Sequence, residues 1–266
     1  MLFPANYHTH TSRCHHAVGD DRDYVEAAIR AGYRILGFSD HVPFPFASGY
    51  VSGMRMHVDE LPGYLASLKG LREEYADRLK IHIGFEAEYF PRYLDHLRRM
   101  QDMGVEYYIL GQHWMDSEED HPSSADACRE DDGVLRYAEG VVRAMETGLY
   151  SYVCHPDILM RFRREEDFTP ACEEATDMIC EAAIRLNIPL EYNLLGLRDR
   201  LDGHGRGYPS PAFWTHASRH PIPVIIGVDA HDPARLLDED TKAFAEKDLS
   251  GLGFRITRLL PMDEET

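Results

Sequence analysis

Val224-Ile-Ile-Gly-Val-Asp-Ala-His231 holds no polar residue until its last three positions. An apolar run without alternation reads as a strand buried on both faces, the mark of a parallel sheet covered by helices. Its chemistry, Asp229 and His231, comes only at the C-terminal end. Working outward, strands of this kind recur at Tyr7–Thr11, Arg34–His41, Lys80–Glu86, Tyr107–His113, Tyr152–His155 and Pro189–Asn193. Helix-period segments separate them: Asp21–Ala31, Leu61–Leu79, Pro91–Met103, Val134–Glu146, Pro170–Leu186 and Ser210–Arg219. Such alternation implies parallel strands joined by crossover helices, an α/β chain of seven β-α units. The choice lies between a closed barrel and an open doubly wound sheet. The glycine-rich phosphate loop of many doubly wound folds is missing after the first strand. The tail Phe254–Leu260 either adds a strand or packs outside. No linker or composition break interrupts residues 1–266, so a single domain is expected.

Composition narrows the function. The chain is 44% hydrophobic and 28% charged, as in an ordinary globular protein. Its formal charge of −18 and pI near 5.2 predict no nucleic-acid partner, since no local basic patch offsets the acidity. Five widely spaced cysteines without a C-x-x-C argue against a disulfide framework and a cysteine zinc finger. Met1–Asn6 has no leader pattern and no long apolar run follows, which predicts a cytoplasmic protein without a membrane partner.

The polar residues fall at the strand ends. The first strand carries His8 and His10, with His15 and His16 in the loop behind it; the second ends in Asp40 and His41. The third offers Glu86 and Glu88, the fourth His113, the fifth His155 and Asp157, the sixth Glu191 and Asn193. In a parallel α/β barrel these ends meet at one mouth. Any single histidine is more often a satisfied core or surface residue, but recurrence at one register in successive strands calls for a shared ligand. Imidazoles mixed with carboxylates suit Zn²⁺, Mn²⁺ or Fe²⁺. The groups exceed one ion's needs and leave room for two or three, a set suited to hydrolysing a phosphate ester with metal-activated water.

The motifs H-T-H-T…C-x-H, G-F-S-D-H, G-F-E-A-E, G-Q-H, C-H-P-D and G-V-D-A-H, in this order from about Tyr7 to Asp232, resemble the PHP (polymerase and histidinol phosphatase) superfamily. The resemblance implies a distorted (β/α)₇ barrel of PHP type. His10-Thr-x-x-Cys-x-His16, Glu191-Tyr-Asn-x-x-Gly-Leu-Arg198 and Tyr208-Pro-Ser210 further resemble its stand-alone L-histidinol-phosphate phosphatases, which act in histidine biosynthesis. Carried over by residue, it implies a first ion on His8, His10, Glu86 and Asp229. Glu86 would bridge to a second on His113 and His155, and His16, His41 and His231 would hold a third. The family spacing favours His16 over His15. Glu88, Asp40 and Asp157 are then expected to orient imidazole N–H groups.

A phosphate monoester needs fixed positive charge besides metal, and arginine supplies it as a planar fork. Arg161, Arg163 and Arg164 follow the fifth strand, Arg198 and Arg200 the sixth. The resemblance favours Arg161 and Arg198 as phosphate-binding and catalytic groups; Asn193 is expected among the substrate contacts, and Asp229 is expected to accept a proton from the attacking water besides ligating. The apolar stretch Pro43–Phe46, with Met54 and Met56, either walls the substrate pocket or packs the rim. The acidic loop Asp116–Asp132 either steers a cationic amino alcohol or is simply solvated. The expected activity is hydrolysis of L-histidinol phosphate. Alternatives are a phosphoesterase for another small ester or nucleotide, and a non-catalytic metal- or phosphate-binding protein.

Overall fold

Asp20 starts the first helix: its carboxylate accepts from the N–H groups of Arg22 and Asp23, while the Asp23 carboxylate accepts from the Asp20 N–H. Gly32 ends it at φ 82°, a left-handed turn that glycine adopts without cost. This helix is α1 (Asp21–Ala31) in a computed structural model that describes residues 3–119, 122–205 and 207–264. The chain forms two compact units. The first comprises Met1–Ile109, Val228–Asp238 and Arg258–Thr266, and the second Leu110–Gly227 and Glu239–Thr257.

In the first unit β1 (Ala5–Asn6) pairs in parallel with β2 (Ile35–Phe38), and β2 with β3 (Lys80–Ala87). Strand β4 (Tyr107–Leu110) follows, and the Glu106 N–H donates to the Ile83 carbonyl as the chain enters it. Helices α2 (Leu61–Glu74) and α3 (Leu94–Asp102) lie between the strands in sequence. Every residue of β2, and every residue of β3 after Lys80, is buried, as two covered faces require. Between the strands sits Tyr107, its hydroxyl 2.9 Å from the Tyr7 carbonyl and 3.0 Å from that of Phe38. Two glycines make room for it: a Cβ at Gly37 would lie 2.3 Å from the hydroxyl, and one at Gly84 2.3 Å from the ring.

The regular first strand ends at Asn6, ahead of the expected Tyr7–Thr11, and beyond it side chains join backbone bonds from the His10 N–H to the Ala230 carbonyl and from the Ser39 N–H to the Thr9 carbonyl. The Asn6 amide donates to the His8 carbonyl and the Thr9 hydroxyl, and its oxygen accepts from the Val228 N–H. The Thr9 N–H donates to the Ser39 hydroxyl at 2.9 Å, and the Thr11 N–H to Asp40 at 2.9 Å. The histidine pair is therefore extended and buried but lies beyond regular sheet.

In the second unit β5 (Tyr150–Val153), β6 (Leu190–Asn193), β7 (Pro223–Gly227) and β8 (Arg255–Thr257) pair in parallel, in that order. The tail thus adds a strand. The helices are α4 (Ser124–Ala127), α5 (Asp131–Glu146), α6 (Pro170–Leu186), α7 (Leu194–Leu201), α8 (Pro211–Ala217) and α9 (Glu239–Gly251). The acidic loop expected over Asp116–Asp132 contains α4, which Ser123 caps by accepting from the Asp126 N–H; its Asp120 and His121 lie outside the described residues. Each unit is thus built of parallel strands with intervening helices, the α/β class expected. Among the described residues no helix is long and apolar enough to cross a membrane.

Candidate metal centre

Seven of the predicted ligands, His8, His10, His16, His41, Glu86, Asp229 and His231, belong to the first unit, and the structure brings them together. His8 and His10 leave the same side of their extended segment, Nε2 to Nε2 3.1 Å apart. Both lie 3.3 Å from Asp229 Oδ1, with Glu86 Oε2 3.6 Å from His8 and 3.3 Å from His10. His41 Nδ1 stands 3.1 Å from the same Glu86 oxygen. Asp229 reaches this point from a backbone of φ 51°, a left-handed conformation costing a non-glycine residue about 1–3 kcal/mol. Local strain retained at a cluster of donors is a mark of functional rather than packing constraint.

Both His15 and His16 are exposed, but His15 stands at φ 65° while the His16 ring turns back and its Nε2 comes within 3.0 Å of His231 Nε2. His16 Nδ1 donates to the Cys14 carbonyl at 2.6 Å, and His231 Nδ1 to the Asp229 carbonyl at 3.1 Å. A carbonyl only accepts, so each Nδ1 carries the hydrogen and each neutral ring presents an Nε2 lone pair. Two lone pairs facing across 3.0 Å repel unless a proton or cation lies between them. Nitrogens bound to one zinc ion at about 2.0–2.1 Å each stand roughly 3 Å apart, so the residues fit a divalent cation.

Electrostatics agrees. Burial alone would favour a neutral Asp229, yet the imidazoles of His8, His10 and His231 hold its carboxyl well below the usual range. Burial also disfavours an imidazolium at His10, and Asp229, Cys14 and Glu86 overcome it, raising its pKa well above the ordinary value. Such groups exchange positive charge readily, whether from protons or metal.

The three carboxylates expected to orient imidazoles also engage other groups. Asp40, pushed up to about 7 by burial, accepts from the Thr11 N–H and hydroxyl. Glu88 forms a buried bidentate pair with Arg55, at 3.0 and 3.1 Å. Asp157 accepts from the Ser210 N–H and the Trp214 indole. Sequence reading had no access to these partners, which come from loops with no strand register to betray them. Arg55 was missed for that reason, although a charged residue inside the apolar Pro43–Met56 loop was a signal. Beside it lies a cavity of about 290 Å³ lined by His15, Phe44, Phe46, Tyr50, Arg55 and His57 among others.

The remaining predicted residues belong to the second unit. His113 and His155 lie with ring centroids 5.0 Å apart, and the His155 N–H donates to Glu191. Asn193 caps α7: its amide oxygen accepts from the Gly196 N–H and its nitrogen donates to Glu191. Arg198 pairs with Asp202 one turn along α7, and Arg161 lies 5.7 Å from the centre of the Phe162 ring.

The PHP domain model matches residues 6–194. The chain belongs to the PHP family. The probable histidinol-phosphatase of Deinococcus radiodurans is 30% identical over 86% of this chain and 86% of its own. The histidinol-phosphatase of Bacillus subtilis is 24% identical, over 84% of this chain and 92% of its own. The crystal structure of histidinol phosphate phosphatase from Lactococcus lactis, complexed with zinc, L-histidinol and phosphate, matches with a TM-score of 0.71 at 19% identity, covering 95% of each chain. It shows the shared PHP-type α/β fold. This PHP protein is a phosphoesterase of the family, related to histidinol-phosphatases.

Proposed function

We propose that this protein hydrolyses L-histidinol phosphate to L-histidinol and phosphate. The observation that carries the reading is the buried convergence of His8, His10, Glu86 and Asp229 in a chain 30% identical to a probable histidinol-phosphatase. The zinc, L-histidinol and phosphate bound by the Lactococcus lactis protein support it. His8, His10, Glu86 and Asp229 would hold one divalent ion and His16, His41 and His231 another. In the second unit His113 and His155 are the proposed ligands. Bound there, the ions would supply Lewis-acid polarisation of phosphate oxygens and acidify water.

The chain's own residues set what such chemistry needs. A phosphate dianion beside Glu86 and Asp229 would be repelled by their charge, so cations must bind first in this site. Asp229, kept ionised by its imidazoles, is the proposed proton acceptor from attacking water. Arg161 and Arg198 are the proposed phosphate contacts, and Asn193 is proposed to bind substrate while capping its helix. The cavity beside His15 and Arg55 is at the small end of ligand sites, and its aromatic walls suit a planar ring on the leaving alcohol.

The test compares kcat/KM for L-histidinol phosphate with a panel of glycerol phosphate, phosphoserine and nucleoside monophosphates, with metal content measured on the same sample. The reading predicts at least ~10²-fold preference for L-histidinol phosphate, about 2.7 kcal/mol of discrimination. Equal turnover of another ester would replace the substrate, and no turnover by a metal-filled protein would leave only a binding role. Phe46→Ala should raise KM for L-histidinol phosphate and leave that for glycerol phosphate unchanged.

A further inference from the structure

We propose that Cys14 donates its sulfur to the cation faced by His16 and His231, making this position selective for a thiophilic ion such as zinc. The inference rests on reading the cluster as a metal centre. Cys14 is fully buried at the end of a short 3₁₀ turn, Ser12–Cys14, whose geometry the Thr11 side chain fixes by accepting from the Arg13 N–H. The donor atoms of Cys14, His16 and His231 all lie within 4.8 Å of one another, and those of His10, Cys14 and Asp40 meet the same limit. The lone pairs of His16 and His231 face each other across 3.0 Å, so the sulfur shares their focus.

A buried cysteine is commonly just a small hydrophobe. Two other thiols of this chain fit that description. Cys128 lies 3.6 Å from the Gly133 carbonyl and Cys180 sits on the buried face of α6; burial pushes both up to about 12. Cys14 has different company: imidazoles rather than carbonyls and helix packing. Thiolate is the softest donor in the cluster, and sulfur favours zinc over manganese or magnesium, which prefer oxygen.

X-ray absorption of the unaltered protein loaded with zinc alone should contain a sulfur shell near ~2.3 Å besides the shorter nitrogen and oxygen distances. Cobalt-loaded protein should display a near-ultraviolet sulfur-to-cobalt band. Cys14→Ser should lose that band and release one class of ion at roughly tenfold lower chelator concentration. Full zinc occupancy with nitrogen and oxygen scattering only would overturn the proposal and leave the metal centre standing. A band that survives Cys14→Ser would place the sulfur on another cysteine and overturn it as well. Failure to bind zinc at all would remove both. If Cys14→Ser does not fold, the spectrum of zinc-loaded Cys154→Ser decides: the sulfur shell should persist, and its loss would overturn the proposal.

Discussion

The donors of the first unit and Arg198 of the second are held in opposite ways. Asp229, Glu86, His8 and His10 are buried, and the backbone around them is tied by Asn6, Ser39 and Asp40. Arg198 is partly exposed, its pairing with Asp202 made one turn away on its own helix. A group fixed from several elements can hold a position to within a fraction of an ångström before any ligand arrives. A group tethered at the surface can follow its ligand. Metal ligands need the first property, and a clamp on a departing phosphate can use the second.

Substitutions should separate the two modes. Asp229→Asn should cost the most: losing two or three charge-assisted contacts at about 1.5–3 kcal/mol each predicts a fall in kcat on the order of 10²-fold or more. Metal analysis should find a depleted centre, and full activity with full metal would remove Asp229 from the site. Arg55→Ala comes next. Its pair with Glu88 is 1% exposed on either side, so taking the guanidinium away from the buried Glu88 carboxylate should destabilise the fold by about 3–5 kcal/mol in urea denaturation. Replacing both, as Arg55→Met with Glu88→Leu, should recover most of that loss; no recovery would give the pair a role beyond the fold. Arg198→Ala is the mildest. An exposed i,i+4 pair contributes only about 0.3–0.5 kcal/mol, so melting should hardly change while KM for the phosphate ester rises roughly tenfold. An unchanged KM would withdraw Arg198 from phosphate contact.

What was legible in the sequence follows the same division. Strand periodicity sets side-chain direction, so H-x-H, G-F-S-D-H and G-V-D-A-H could be placed at strand ends from spacing, and those of the first unit meet. Family spacing favours His16, but its approach to His231 depends on a ring turning back past a left-handed His15, which no periodicity encodes. The partners of Asp40, Glu88 and Asp157 were equally hidden. Each depends on a loop conformation, set by tertiary packing rather than local pattern. Asn193 shows a further limit: the residue expected to meet substrate also caps a helix, and spacing alone could not reveal α7 directly behind its strand.

Tyr107, with the glycines at positions 37 and 84, has a consequence for how this chain can change. Neither glycine can gain even a methyl group while the phenol is in place, and a smaller residue at 107 would leave a void beside the segments that lead to His8, His41 and Glu86. The three positions therefore behave as one inherited character. Drift at any of them alone is closed, and a lineage could remodel this interior only by passing through concerted exchanges. Libraries built to retarget the enzyme should keep all three constant and place their diversity in the loops.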